Sequence, residues 1–384
     1  MRFEFATAGR IIFGPGSVAE LGPLARAIGR RAFVVTGGDK IRHAAVIGDL
    51  EGAGLGCTLF GVAGEPTVVR VREGAALFRT AGCELLIAIG GGSAIDAGKA
   101  IAALAANPGD VLDYLEVIGK AQPLIKAPFP MVAVPTTAGT GSEVTRNAVL
   151  GSPEHGVKAS LRSPMMLPRV AIIDPQLTLG LPPAITASTG LDALTQLIEP
   201  YVCLRANPLT DVFCLDGLRS VKRNLAKAFE NGADAASRAG MSYASLLGGL
   251  ALANAGLGVV HGFAASIGGM FDAPHGAVCA AILPHGMEAN IRALRARNPE
   301  NGALDRYREI ARVLTDNEDA IPEDAAMWVS QLVQSLRIPP LATYGIGAGQ
   351  MDDIPEKAAK ASSMKANPVE LTTAELKWIL ERAI

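Results

Sequence analysis

Beginning at Ala88, the chain reads AIGGGSAIDAGKAIA: a short apolar run enters three consecutive glycines and leaves them in a helical pattern of small residues. Glycines let backbone N–H groups come close to an anion, and the start of a helix adds the positive end of its dipole, so this junction is a cradle for a pyrophosphate. It also restricts the surrounding fold. Further short apolar or β-branched runs occur in RIIF, RAFVVTGG, CELLIAIGGG, MVAVP (131–135) and RVAIIDP (169–175), with helical patterns between the early ones. Strands alternating with helices in this way predict a parallel sheet built from βαβ units.

After the LGLPP turn at 179–183 the texture becomes helical, with few β-branched clusters. The expected organisation is an α/β dinucleotide-binding domain over 1–179 and an all-α domain over 180–384, with ligands in the cleft between them. The apolar run ASLLGGLALANAGLGVV (244–260) holds four glycines as well as Ser245 and Asn254. It reads as a tightly packed core helix followed by a turn rather than a membrane span.

A net charge of −2 supplies no basic field for nucleic acid or an anionic membrane surface, so a small-molecule partner is expected. Five cysteines (Cys57, Cys83, Cys203, Cys214, Cys279) without a CxxC pair argue against a disulfide framework or a zinc ribbon. The first residues show no secretory pattern, and a reducing cytoplasm is the expected location.

Three other features bear on chemistry. GPGSVA (14–19) matches GxGxxA after an apolar run, with Asp39 about 20 residues on, but Pro15 suits a tight structural turn and the match is weak. VPTTAGTGSEVT, from Val134, brings the hydroxyls of Thr136, Thr137, Thr140 and Ser142 to the carboxyl end of a strand, where open α/β sheets bind ligands. In GLDALTQLIEP (190–200), Asp192 and Gln196 are four residues apart on one helix face, and two of the five histidines, His261 and His275, stand beside glycines. Together these four are candidate metal ligands.

Taken in order and spacing, GGGSAIDAGKA, PTTAGTGSEVT, GLDALTQLIEPYV, VHG and APHGAVCAAILPH resemble the iron-containing (group III) alcohol dehydrogenase family, over nearly the whole chain. The resemblance implies a dehydroquinate synthase-like architecture, and hydride transfer between NAD or NADP and a small alcohol or aldehyde, assisted by a divalent metal, Fe or Zn. Gly90, Gly91, Gly92 and Ser93 would hold the pyrophosphate. Thr136, Thr137 and Ser142 would approach phosphate and nicotinamide, with Thr140, Asp96 and Lys158 also among the cofactor-binding positions. Asp192, His261 and His275 would be catalytic and would fall on three of four metal positions. A homo-oligomer is expected, with the RFEFATAGRIIFG segment pairing across a dimer.

Two departures stand out against the family pattern. Gln196 occupies the place of a histidine in DAxxH, and Ala265 replaces a histidine that many members carry near the substrate. The Gln196 amide oxygen would complete the metal sphere, as a poorer donor than imidazole. In the alternative, the site works without metal through hydrogen bonds from Gln196 and His261, in the manner of maleylacetate reductases, or the chain binds NAD(P) without turnover. Gly37 replaces the acidic residue of NAD-preferring relatives. NADP is therefore expected to be tolerated, with Lys40 or Arg42 near its phosphate, unless Asp39 restores the preference for NAD.

Overall fold

The computed structural model describes residues 2–38 and 43–384. It divides into two compact units, one made of Phe5–Thr137 with Gly141–Thr178, the other of Leu179–Ile384 together with Ala138–Thr140 and the first few residues.

The first unit contains strands β1 (Ile11–Phe13), β2 (Arg31–Gly37), β3 (Gly56–Val62), β4 (Leu85–Gly90), β5 (Met131–Pro135), β6 (Asn147–Ser152), β7 (Val157–Arg162) and β8 (Val170–Ile173). β6 and β7 form an antiparallel hairpin, while the other six make one sheet in the order β1-β8-β5-β4-β2-β3, in which neighbouring strands run parallel. Its helices are α1 (Leu21–Ile28), α2 (Ala44–Gly52), α3 (Val68–Thr80), α4 (Gly92–Ala106) and the short α5 (Val111–Tyr114).

Side chains alternate across the strands, and both faces of this sheet are buried. Ala32 and Val34 on β2 and Leu85, Ile87 and Ile89 on β4 pack with Leu21, Ala25, Ile47 and Leu50 of α1 and α2. On the opposite face Phe33 and Val35 of β2 and Leu86 and Ala88 of β4 pack with Val71, Phe78, Ile95 and Ile101 of α3 and α4. The central runs of β2 and β4 therefore serve two cores at once.

β3 and the β6–β7 hairpin are additions to the strands expected from sequence. β3 (GCTLFGV) has glycines at Gly56 and Gly61 and lies at the sheet edge, so its outer positions need not be apolar. Its apolar signal is correspondingly faint.

β2 leads through α2 to the edge strand β3, whereas β4 leads through α4 to β5 on its other side. The neighbours β2 and β4 thus flank the point where the chain reverses its direction of winding, and at their carboxyl ends such sheets bind ligands. Gly37 ends β2 and Gly90 ends β4.

The second unit holds α6 (Pro183–Val202), α7 (Pro208–Glu230), α8 (Ala235–Asn254), α9 (Val259–Met270), α10 (His275–Arg297), α11 (Ala303–Thr315), α12 (Pro322–Ser335), α13 (Asp353–Lys360) and α14 (Thr373–Ala383). α6 starts where LGLPP predicts, with Pro183 in its first turn, where a missing N–H costs nothing. The glycine-rich apolar run forms the end of α8 and, after a bend of 95°, the start of α9. Ala244, Leu247, Leu250 and Ala251 are buried there. Among the described residues no single helix is long and apolar enough to cross a membrane.

Candidate active site

The glycine junction forms as its sequence predicts. Gly90 closes β4, Gly91 caps α4 in an extended conformation, and Gly92 and Ser93 open the helix. A Cβ on Gly90 would fall 2.6 Å from the Ala94 Cβ and 3.3 Å from the Gly37 nitrogen, so only glycine lets strand, helix and β2 meet this closely. A Cβ on Gly91 would press on Thr137 at 3.3 Å. Thr136 is buried, and its N–H donates to the Gly90 carbonyl at 2.9 Å. A Cβ on Gly37 would meet nothing within 4 Å among the described residues. Asp39, Lys40 and Arg42 lie outside the described residues.

Other expected cofactor positions have partners within the protein. Ser142 donates to Asp96, whose second oxygen accepts the Val149 N–H at 2.9 Å. The wholly buried Lys99 Nζ donates at 2.8 Å to Ser142 Oγ, Thr145 Oγ1 and the Asn147 carbonyl. This network ties α4 to the GTGSEVT loop, and burial holds the Lys99 ammonium below its usual range. Lys158, on β7, pairs with Glu65 at 3.2 Å. Thr140 falls with the helical unit.

GPGSVA is a turn, as Pro15 suggested. Gly14 and Gly16 have φ of 148° and 78°, which glycine adopts freely. The Val18 N–H, which a phosphate would take in a dinucleotide fingerprint, donates to Asp174 Oδ2 at 3.1 Å.

In the helical unit three helices converge on one point, buried except at His275, whose side chain is 33% exposed. α6 contributes Asp192 and, one turn on, Gln196; α9 contributes His261 in its first turn; α10 begins with His275. The Nε2 atoms of His261 and His275 each lie 3.7 Å from Asp192 Oδ1, and the two rings are 5.5 Å apart. That carboxylate oxygen is buried without a hydrogen bond, and so is Gln196 Oε1. Leaving a buried carboxylate oxygen unpaired is costly, and 3.7 Å is too long for a hydrogen bond. Two imidazole nitrogens gathered around such an oxygen suit a shared divalent cation.

Sequence reasoning missed two residues here. Glu199 Oε2 lies 2.6 Å from His261 Nδ1, and its Oε1 accepts the Val260 N–H at 2.7 Å. One buried carboxylate thus caps the start of α9 and turns His261 Nε2 toward Asp192, the outer-shell support that ligating histidines characteristically have. Burial disfavours a charged His261, but Glu199 and Asp192 outweigh it and raise the pKa. The same negative field favours any cation at this point. The second is Cys279, one turn beyond His275 on α10; its Sγ and the donor atoms of Asp192, His261 and His275 all lie within 4.8 Å of one another, about twice a metal–ligand bond length. Both had a signal in helical spacing, Glu199 at i+7 from Asp192 and Cys279 at i+4 from His275. Ala265, exposed on α9, brings no imidazole.

An α/β sheet with a pyrophosphate-type glycine junction, and a helical unit with a candidate carboxylate and imidazole metal site, fit a dehydrogenase that uses a nucleotide and a metal. The chain belongs to the iron-containing alcohol dehydrogenase family: residues 8–175 match the family described as iron-containing alcohol dehydrogenase, and residues 186–384 match its C-terminal part. It is an oxidoreductase of the alcohol dehydrogenase class. It is 36% identical to 1,3-propanediol dehydrogenase of Klebsiella pneumoniae, covering 99% of this chain and 98% of that one. It is 32% identical to the NAD-dependent methanol dehydrogenase of Bacillus methanolicus, with 97% of each chain covered. A crystal structure of 1,3-propanediol oxidoreductase superposes with a TM-score of 0.92 at 34% identity, covering 100% of both chains.

Proposed function

We propose that the protein transfers hydride between NAD(H) or NADP(H) and a small alcohol or aldehyde, with a divalent iron or zinc ion held by Asp192, His261 and His275 and with the Gln196 amide oxygen beside them. The carrying observation is the buried Asp192 Oδ1, which has no hydrogen bond and has an imidazole nitrogen 3.7 Å away on each of two other helices. When bound, the ion supplies a Lewis acid for the substrate oxygen.

The chain's own groups do the rest. Gly90, Gly91, Gly92 and Ser93 present the start of a 15-residue helix to the cofactor's pyrophosphate. The Thr136 and Thr137 hydroxyls lie at the same strand end for contacts toward phosphate and nicotinamide. Glu199 holds His261 in one tautomer, its Nε2 directed at the carboxylate. Open space at Gly37 admits a 2′-phosphate, so both cofactors are used.

A metal-free pocket is the weaker reading. Negative charge developing on the substrate oxygen would meet the Asp192 carboxylate with no cation between them. As to assembly, β1 lies at the sheet edge with Phe13 exposed, which supports pairing of the N-terminal segment in a homo-oligomer. The cytoplasm is the proposed location.

The test is His261→Ala. Alcohol oxidation is expected to fall by at least about a thousandfold, while nucleotide affinity, measured by fluorescence titration, stays within a few-fold of the parent. Turnover that survives the substitution would refute the assignment.

A further inference from the structure

We propose that the thiolate of Cys279 is a ligand of the metal held by Asp192, His261 and His275, taking the donor role that Gln196 fills poorly; this rests on the metal-dependent reading above. Cys279 is fully buried and its Sγ lies 3.7 Å from His275 Nε2 on the same face of α10. All four donor atoms lie within 4.8 Å of one another, on three helices whose backbones fix them. The buried Asp192 oxygen, which has no hydrogen bond, independently points to a cation at this place.

The chemistry of the donors favours sulfur over the amide. Gln196 offers a neutral oxygen, the weakest donor to iron or zinc among the groups present. A thiolate offers a full negative charge and a soft, strongly donating atom, and metal binding itself deprotonates the thiol. Asp192 and Cys279 together carry two negative charges, which one divalent ion balances in a buried site. The resulting set of one carboxylate, two imidazoles and one thiolate shifts preference from iron toward zinc, because thiolate favours the softer ion and zinc stands above ferrous iron in the affinity order.

The experiment uses the full chain, stripped with a chelator and reloaded with Co2+. Coordinated thiolate gives Co2+ an intense near-ultraviolet charge-transfer absorption that carboxylate, amide and imidazole ligands do not. The expected result is one Co2+ per chain with that absorption, retained in Cys57→Ala and lost in both Cys279→Ala and Cys279→Ser. Metal affinity should drop at least about tenfold in the Cys279 variants, since even outer-shell losses cost that much. The serine variant is nearly isosteric and guards against a cavity unfolding the alanine one. Bound Co2+ without the absorption, or an absorption that persists in Cys279→Ala, would overturn the thiolate ligand and leave the metal-dependent reading intact. Failure of the parent protein to bind Co2+ would overturn both.

Discussion

Glu199 and His261, 62 residues apart in sequence, meet at 2.6 Å between Oε2 and Nδ1, and both are buried. This contact decides which ring nitrogen faces Asp192, so the geometry of the proposed metal site depends on a residue that need not touch the metal. Glu199→Gln keeps the shape but removes the charge that supports His261. Metal affinity, read by competition with a chromophoric chelator, should fall by about 10- to 100-fold. Unchanged affinity would make Glu199 a helix cap only.

Gly37 ends β2, and among the described residues nothing lies within 4 Å of a prospective Cβ, which leaves room for an added carboxylate. Gly37→Asp should lower kcat/KM for NADP(H) relative to NAD(H) by roughly tenfold or more, because placing like charges together costs several kcal/mol and a tenfold change needs about 1.4. Steady-state kinetics with both cofactors checks this, and an unchanged ratio would place the 2′-phosphate elsewhere.

Acid sensitivity should trace in part to His285, which lies on α10 beyond His275 and Cys279. Burial, then the nearby Arg382, lowers its pKa from 6.5 to about 4, and its ring meets Trp378 edge-on at 6.3 Å. Between those values the unfolded chain binds a proton that the folded chain refuses. Stability therefore falls as pH drops from 6.5 toward 4 and is insensitive to this group above 6.5. Urea unfolding at several pH values should show a shallower acid slope in His285→Gln than in the parent. Parallel slopes would remove His285 from the acid response.

Much of this was legible in the sequence where chemistry and local structure coincide. The glycine junction at Gly90–Gly92 required a strand, a turn and a helix in one short segment, and they form there. The DALTQ spacing placed Asp192 and Gln196 one helical turn apart, as α6 has them. β3 was hidden because an edge strand with Gly56 and Gly61 needs no continuous apolar run. Glu199 and Cys279 were hidden for a different reason: their roles come from helices brought together by tertiary packing. Their i+7 and i+4 spacings showed which helix face they share, but not what that face meets.

The most direct test of the central claim is the metal content of protein purified without a chelator or a metal-affinity tag, set beside NAD(P)H-dependent aldehyde reduction before and after EDTA. Metal dependence predicts about one iron or zinc per chain, with activity lost to EDTA and restored by the metal. Full activity in protein free of metal would contradict it, and would mean that Asp192, His261 and His275 work through hydrogen bonds alone.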